Sequence, residues 1–517
     1  MPEAPPQASG YSSQKLLQPE LKKARDETPI RASRDIVDMM HCPHRVRQAD
    51  YPPRSQMMTR ASATIRQCAS LLLATTIYQN IGCGARTGLN LDDINAQSDG
   101  GAGGESPIPC PTSFADCHNS GSCTTDLNAS PDNCGACGNL CPESLVCGAG
   151  TCRPPEDIIQ VASGQAYTCA LRASGEVLCW GGNYSGVLGD GSFEPHIAPM
   201  PVVGLGDAVE IEASTGQLDS AVMCARRATG TIACWGAANL GVFGTSSDEP
   251  SPVPVEVAGL TAAASIRVSQ GAACALRQDG SVLCWGLNSS GQTGTKGSGT
   301  WAPAPVIELP YALQLDVGTF SCVTLATGEV ACWGVDDFGW SGDSGFLEVP
   351  TIMKNVSDAR AVFLPGPASK QVDGPNCVIH GSGAVSCTGL NESGNIDIDV
   401  EGDFINGEMH AIEGVSDAVQ LAGTLATTCA LRASGQVACW GSNAQGRLGI
   451  GSTEQPEENV VTVLGVEGAL HIAGGWWHTC AALGSGGVAC WGDNQAGQLG
   501  DGTTESRYSP VHVLGLP

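Results

Sequence analysis

Seven pairs of cysteines, each pair ten positions apart, recur from residue 158 onward at a pitch of 48–55 residues. The pairs are Cys169 with Cys179, Cys224 with Cys234, Cys274 with Cys284, Cys322 with Cys332, Cys377 with Cys387, Cys429 with Cys439, and Cys480 with Cys490. A fixed spacing copied seven times predicts a repeat architecture, in which each unit buries its apolar face against the next one.

Each pair encloses a predicted β-hairpin. In the first copy, residues 168–172 and 176–180 flank the three-residue loop Ala173-Ser174-Gly175, whose last position suits a left-handed glycine. This loop length places Cys169 directly opposite Cys179, within reach of a disulfide. We therefore expect seven disulfides; buried free thiols are the alternative.

A β-branched residue lies two positions before each second cysteine, on the strand face that we expect to be buried between units. These residues are Val177, Ile232, Val282, Val330, Val385, Val437 and Val488. Six of the second cysteines are followed by Trp-Gly, and the fifth copy has Thr388-Gly389 instead. We expect the fifth unit to be the least stable and to have been reshaped for binding; drift of one redundant repeat explains the loss of its Trp equally well.

The last copy is the most informative about the family. Residues 475–482 (Gly-Trp-Trp-His-Thr-Cys-Ala-Ala) and 491–500 (Trp-Gly-Asp-Asn-Gln-Ala-Gly-Gln-Leu-Gly) resemble the repeat of the regulator-of-chromosome-condensation family. The resemblance implies an all-β fold, a seven-bladed β-propeller over residues 157–517. Because the first copy begins and the last copy ends within the apparent repeat, we expect the two termini to meet in one shared blade, which would remove an open sheet edge.

Eight cysteines fall within residues 110–152, in a segment rich in Gly and Asn. This composition predicts a small module held by four disulfides, although Cys134-x-x-Cys137 is also compatible with half of a zinc site or with a redox pair. The segment resembles cysteine-rich spacer modules of exported proteins from myxobacteria-like organisms. The connectivity cannot be derived from the spacing, since eight cysteines allow 105 pairings.

The front of the chain has the order of an export signal. Residues 57–82 contain a basic start and a short apolar run, and Asn80-Ile81-Gly82-Cys83 resembles the lipobox of bacterial lipoproteins, with Asn80 departing from the usual Leu. This predicts lipidation of Cys83 and a flexible linker at 83–109, with an ordinary secreted protein as the alternative. Residues 1–56 are expected to be non-native, with Met57 or Met58 as the true start; a disordered leader is the alternative.

Charge limits the choice of partner. Residues 83–517 contain 14 Lys and Arg against 45 Asp and Glu, and so acidic a surface repels nucleic acid and anionic lipid. We expect no nucleic-acid partner and membrane contact only through the lipid. The expected location is the cell envelope or the exterior, as an outer-membrane lipoprotein.

Residues with catalytic chemistry do not form a recognisable motif. The nine His lack ligand spacing, and Gly342-Asp343-Ser344-Gly345 resembles a protease nucleophile segment without assignable partners. We expect no cofactor, no metal and no enzymatic activity. Aromatic residues that differ among the copies are candidate anchors for a partner, namely Tyr184, Phe193, Trp301, Phe338, Trp340, Phe346 and Trp476. Several of these residues are expected in the core instead.

The function predicted from these observations is that of an exported, monomeric scaffold that binds a protein or another envelope component. Three alternatives stay open. Family analogy implies guanine-nucleotide exchange with chromatin contact, which needs a cytosolic or nuclear location. A hydrolase or lyase acting on an envelope polymer would need a carboxylate or His cluster on one face, and an enzyme inhibitor would use a binding surface alone.

Overall fold

The computed structural model describes residues 109–517, apart from 119, 121, 215, 217, 239–240, 270, 296, 298, 319, 337–339, 341–344, 365–373, 392–393, 395, 397–403 and 424–425. The described chain is all-β, with two single 3-10 turns at Leu218–Ser220 and Ala444–Gly446. Seven four-stranded antiparallel sheets follow one another along the chain and form a seven-bladed β-propeller. The predicted leader, signal segment, Cys83 and linker up to residue 108 lie outside the described residues.

The strands of the cysteine-rich module are β1 (Phe114–Ala115), β2 (Thr125–Asp126), β3 (Val146–Gly148) and β4 (Thr151–Arg153). Blade 1 consists of β5 (Ile158–Ser163), β6 (Tyr167–Arg172), β7 (Val177–Gly181) and β8 (His196–Pro201). Blade 2 consists of β9 (Ala208–Ala213), β10 (Val222–Arg227), β11 (Ile232–Gly236) and β12 (Ser251–Glu256). Blade 3 consists of β13 (Ala263–Val268), β14 (Ala272–Arg277), β15 (Val282–Leu287) and β16 (Gly299–Pro305). Blade 4 consists of β17 (Ala312–Val317), β18 (Phe320–Leu325), β19 (Val330–Asp336) and β20 (Gly345–Ile352), and blade 5 of β21 (Ala359–Phe363), β22 (Asn376–His380), β23 (Val385–Leu390) and β24 (Phe404–Ala411). Blade 6 consists of β25 (Ala418–Gly423), β26 (Thr427–Arg432), β27 (Val437–Gly441) and β28 (Val460–Thr462). Blade 7 consists of β29 (Ala469–Gly474), β30 (His478–Leu483), β31 (Val488–Gly492) and β32 (Arg507–His512).

The predicted hairpin register is confirmed in every blade, because the two cysteines of each repeat face each other across the second and third strands. Each facing pair is joined by a disulfide bond. The seven bonds join Cys169 to Cys179, Cys224 to Cys234, Cys274 to Cys284, Cys322 to Cys332, Cys377 to Cys387, Cys429 to Cys439, and Cys480 to Cys490. The third residue of each loop has a positive φ, as expected for a left-handed glycine: Gly175, Gly230, Gly280, Gly328, Gly383, Gly435 and Gly486.

The β-branched residue before each second cysteine is buried, between 0 and 2% exposed, as predicted. The Trp that follows the cysteine reaches the neighbouring blade, because its indole N–H donates to a backbone carbonyl in the preceding blade's long loop. These bonds run from Trp180 to Gln498, Trp235 to Val187, Trp285 to Val242, Trp333 to Gln292 and Trp491 to Arg447, at 2.7–3.0 Å. The indole therefore links two neighbouring blades, and its buried N–H has a hydrogen-bond acceptor.

The expectation that both termini share one blade is wrong. β5 is the innermost strand of blade 1 and β32 is the outermost strand of blade 7, so each blade is made of four consecutive strands. The two strands that run together along the chain elsewhere, such as β8 and β9, belong to neighbouring blades, because the connection between them crosses from one sheet to the next. The ring closes through hydrogen bonds between blades 1 and 7 instead: the Trp180 indole N–H donates to the Gln498 carbonyl, and the Ile158 N–H donates to the Gly486 carbonyl at 2.8 Å.

Blade 5 lacks the Trp of the other six blades, and a Trp from blade 4 packs at the same interface. Thr388 is fully buried where six blades place the indole, and Trp340, from the long loop of blade 4, is 1% exposed between blades 4 and 5. Its ring meets Phe320 edge to face, with centroids 5.9 Å apart. Trp340 is therefore one of the aromatic candidates that lie in the core and not at the surface, at the same interface as the smaller Thr388.

The cysteine-rich module has its own disulfides, Cys110–Cys123, Cys117–Cys137, Cys134–Cys147 and Cys141–Cys152. Cys134 and Cys137 are therefore bonded to different partners, so the zinc and redox alternatives for this pair are wrong. Cys134, Cys141 and Cys152 lie close together, but all three are engaged in disulfides. No helix in the described ranges is long and apolar enough to cross a bilayer.

Candidate binding site

The innermost strands of the seven blades surround a central channel that encloses a cavity of about 330 Å³. Side chains alternate along a strand, so the residues two and four positions after the start of each strand point into this channel. The residues between them, such as Ile211 and Leu315, are fully buried between blades. The channel wall is therefore polar on a rigid apolar frame.

Three glutamines in this wall act as struts between blades. The amide of Gln160 donates to the Ile211 carbonyl at 2.9 Å and accepts from the Ile211 N–H at 3.0 Å. Gln314 bonds Val362, and Gln420 bonds Ile472, in the same two-way manner. Each strut satisfies backbone groups of the next blade's innermost strand, so these side chains have a structural role.

The buried charged residues of the wall come from blades 2, 3 and 4, and the exposed Arg360 of blade 5 lies at its margin. Arg267 donates to Glu210 at 2.8 Å and also lies 3.7 Å from Glu212 and 3.8 Å from Asp316. Asp316 accepts the backbone N–H of Leu364 at 2.7 Å. One guanidinium thus joins carboxylates from both flanking blades, and three carboxylates share it.

This crowding changes the acidity of the carboxyl groups. Burial in the channel, together with the negative charges of Asp316 and Glu210, raises the pKa of Glu212 to about 8, although Arg267 opposes the rise. Burial also raises the pKa of Asp316. For Arg267, burial would lower the pKa, but Glu212, Glu210 and Asp316 outweigh it and raise the pKa. Glu212 can therefore take up or release a proton near neutral pH.

The opposite wall of the channel is neutral. Burial, and then repulsion from Arg267, lowers the pKa of His471 to about 3. The Gln420 amide nitrogen lies 3.0 Å from His471 Nε2, which accepts its proton in the neutral ring. The channel is thus divided into an ionic side on blades 2 to 4 and an uncharged side on blades 6 and 7.

The cysteine-rich module lies on one side of the propeller, which we call the turn face because it contains the seven glycine turns at Gly175, Gly230, Gly280, Gly328, Gly383, Gly435 and Gly486. Module and propeller form one compact unit, and Thr112 of the module lines the channel. Arg226 fixes the module: it is 5% exposed and bonds Asp126 of the module at 2.9 Å and Glu210 at 3.0 Å. The ring of Phe114 lies 5.7 Å from its guanidinium carbon.

The opposite side, which we call the loop face, is formed by the connections between the first and second strands and between the third and fourth strands. One asparagine organises each well-described long loop. Asn494 accepts the N–H of Leu499 at 2.9 Å and donates to the carbonyls of Thr503 and Glu505, both at 3.1 Å. Asn183 and Asn443 make the corresponding bonds, so these loops are rigid although they face solvent.

The candidate aromatic anchors have different environments. Tyr184 and Phe193, in the long loop of blade 1, are 64 and 50% exposed and remain available to a partner. Trp301 and Phe346 lie against Gly241 and Gly291 of the preceding blades, so closely that a Cβ at either glycine would overlap the ring. Trp301 and Phe346 therefore have a packing role as well as an exposed face.

The fourteen repeat cysteines do not gather into one site, because each blade holds one pair in its own sheet. All of them are between 0 and 1% exposed, so none is accessible to a ligand: Cys169, Cys179, Cys224, Cys234, Cys274, Cys284, Cys322, Cys332, Cys377, Cys387, Cys429, Cys439, Cys480 and Cys490. Their role in the structure is to link the second and third strands of each blade. Phe338 and residues 342–344 lie outside the described residues, as does Cys83.

Sequence reasoning missed the charged residues of the channel, Glu210, Glu212, Arg267 and Asp316. Their signal was present, because polar or charged residues alternate with apolar ones in the first strand of three successive repeats. An alternating pattern places one set of side chains on each face of a strand. In a first strand of this propeller, one of those faces lines the channel.

Comparison with known proteins agrees with this architecture. A model described as regulator of chromosome condensation (RCC1) repeat matches residues 158–187, 264–292 and 470–498, and a second model of the same description matches 434–482 and 485–517. The chain therefore contains RCC1 repeats. Among curated proteins, the ultraviolet-B receptor UVR8 of Arabidopsis thaliana is 31% identical over 136 residues, which are 26% of this chain and 31% of the receptor.

The probable E3 ubiquitin-protein ligase HERC3 of Homo sapiens is 41% identical over 86 residues, 16% of this chain and 8% of the ligase. This chain thus matches less than a third of the length of these curated relatives. Among solved structures, yeast RCC1 (Prp20) bound to Kap60 has 16% identity and a TM-score of 0.56 over 69% of this chain and 85% of that chain. Human WBSCR16 has 19% identity and a TM-score of 0.51 over 66% of this chain and 94% of that chain. These likenesses show the fold.

Proposed function

We propose that this chain is an exported protein, anchored in the cell envelope through a lipid on Cys83, whose propeller binds a protein partner. The observation that supports export is that every blade has its own disulfide and the module has four more. Disulfides persist in secreted and envelope proteins and are kept reduced in the cytosol. Eleven of them fit an oxidising compartment.

The proposed mode of action is binding by a rigid surface. RCC1 repeats give a closed ring whose loops are held by internal hydrogen bonds, so little conformational entropy is lost when a partner docks. The module contacts the turn face, which leaves the loop face and the outer rim of the propeller for that partner. An acidic surface favours a basic partner and accelerates its association.

Two of the alternatives have less support. Guanine-nucleotide exchange by family analogy needs a cytosolic or nuclear location, which conflicts with a disulfide in each blade. Hydrolysis of a polymer gains some support from Glu212, because a carboxyl group with a raised pKa in a concavity can serve as an acid. The contacts of Arg267 with Glu210, Glu212 and Asp316 account for the same cluster as a structural link between blades.

The experiment that tests the proposal uses the full chain in a bacterial host, with Cys83→Ser as the matched variant. We expect the unmodified chain to incorporate a clickable fatty acid and to sediment with membranes, and the variant to lose the label and become soluble. Cross-linking in intact cells should then capture a protein partner with the unmodified chain and also with the Cys83→Ser variant, if the propeller is the part that binds. Unchanged membrane partitioning of Cys83→Ser would contradict the anchor, and capture of no protein would contradict the binding role.

A further inference from the structure

One position in the outermost strand is occupied by proline in five blades and by another residue in blades 5 and 6. The residue just before the partner of the second cysteine is a proline in five blades: Pro199, Pro254, Pro303, Pro350 and Pro510. Pairing with the third strand is interrupted there by a register shift, so a residue without an N–H fits. A proline in an exposed edge strand also prevents another chain from pairing with it.

Blade 5 lacks this protection. Its outermost strand β24 has Met409 at the proline position, since His410 is the partner of Cys387, and the sequence of β24 contains no proline. β24 is eight residues long, whereas β28 of blade 6, which also lacks a proline, has only three. Met409 is partly buried against the core between blades 4 and 5, which holds the middle of the strand in place.

Two acidic side chains lie at this edge of blade 5. Glu408 is exposed on β24, and Glu413 is exposed just after it. The sequence from Phe404 to Glu413 contains no Lys or Arg. Like charges facing each other across paired strands are destabilising, so a second copy of this edge would be repelled, whereas a strand that presents Lys or Arg would be attracted.

We propose that the outer edge of β24 binds an extended, basic segment of the protein partner as a fifth strand of blade 5. Backbone hydrogen bonds along the unprotected edge would supply affinity, and the acidic side chains would select a lysine-rich or arginine-rich segment. This inference rests on the proposed binding function and specifies its surface and the chemistry of its partner.

The test uses the full chain and a fluorescent eight-residue peptide of alternating Lys and Val with blocked ends. Fluorescence anisotropy should detect binding that weakens at least tenfold between about 0.05 and 0.5 M salt, an order of magnitude expected for screened ion pairs. The same peptide with one central proline, and a peptide of alternating Glu and Val, should both bind at least tenfold more weakly. Equal binding of all three peptides would overturn the proposal.

The decisive variant is Met409→Pro, which gives blade 5 the residue that five other blades have at this position. It should reduce peptide affinity at least tenfold, and the matched variant Val460→Pro in blade 6 should not change it. Should Met409→Pro fail to fold, the charge-reversed variant Glu408→Lys/Glu413→Lys should show the same loss. Normal binding of the peptide by Met409→Pro would overturn the edge proposal. A dimer of the unmodified chain that Met409→Pro abolishes would also overturn it, because β24 would then pair with a second copy of this chain. Retention of the cross-linked partner by Met409→Pro would likewise overturn it while leaving the binding function intact.

Discussion

Trp340 occupies the interface between blades 4 and 5 in which Thr388 stands at the position of the missing Trp. Both side chains are buried, at 1 and 0% exposure, and they come from opposite sides of the interface. The two departures from the repeat therefore compensate each other, and the fifth blade retains an aromatic group at its junction with blade 4.

This relationship predicts a double-mutant cycle. Trp340→Val, which introduces the residue found at the corresponding position 187, should destabilise the protein by roughly 3–5 kcal/mol because it leaves a cavity beside Thr388. Thr388→Trp alone should overpack the same space, at a cost of roughly 1–3 kcal/mol. Together they should recover most of the stability, as measured by urea unfolding under non-reducing conditions. Additive losses in the double variant would contradict the compensation.

The pH dependence of stability should reveal the buried histidines. Burial lowers the pKa of His478 to about 3, and its Nε2 lies 2.8 Å from the hydroxyl oxygen of Thr168. That hydroxyl donates to the Gln498 carbonyl, so Nε2 carries the proton of the neutral ring. Below the unfolded-state pKa of about 6.5, the unfolded chain binds a proton that the folded protein does not, so the free energy of unfolding falls as the pH decreases toward 3.

We expect a slope of about 1.4 kcal/mol per pH unit from each such histidine in that window. His478→Gln keeps a donor for Thr168 and does not titrate, so its unfolding free energy should depend less steeply on pH between 6 and 4. The control is His512→Gln on the outermost strand of blade 7, which should retain the original slope. Parallel pH profiles for His478→Gln and the unmodified chain would show that His478 is not buried in its neutral form.

The Asn-centred loops should depend on the amide donors. Asn494→Asp keeps the acceptor for Leu499 but removes the donors to Thr503 and Glu505 and places a second carboxylate beside Asp501. We expect a loss of roughly 1–3 kcal/mol, since the carbonyls of the part-exposed Thr503 and the exposed Glu505 lose the hydrogen bonds of the buried Asn494 amide. Hydrogen exchange over residues 494–505 should accelerate, while residues 183–194 of blade 1 stay protected. Unchanged exchange in 494–505 would mean that the backbone alone holds the loop.

One buried cation contributes to the docking of the module, together with the packing of Phe114 and Cys123 against the propeller core. Arg226→Met removes the charge that bonds Asp126 and Glu210; Glu210 keeps its bond to Arg267, but Asp126 loses its cation, which costs roughly 3–5 kcal/mol for a buried pair. The module has its own disulfides, so it should detach without unfolding and expose residues 153–157 to protease. Arg227→Met is the control, because Arg227 bonds only the half-exposed Asp207 among the described residues. Equal protease resistance of both variants would contradict docking through Arg226.

Local sequence rules accounted for the hairpins and failed where the answer depended on how sheets are arranged. The register of Cys169 and Cys179 could be predicted because a three-residue loop ending in Gly175 permits one pairing. The way in which the ring closes could not be predicted, because the consecutive strands β8 and β9 lie in neighbouring blades. The ionic cluster around Arg267 was missed for a similar reason: Glu210 and Asp316 are 106 positions apart and meet only when the ring forms.

The central claim, an exported propeller with a disulfide in every blade, is tested most directly by thiol counting. The chain should be isolated from cell envelopes, denatured without reductant, alkylated, digested and analysed by mass spectrometry. We predict that all fourteen repeat cysteines are found in seven linked peptides, each joining two cysteines ten positions apart. Recovery of those fourteen residues as alkylated free thiols would contradict both the disulfides and the export that they support.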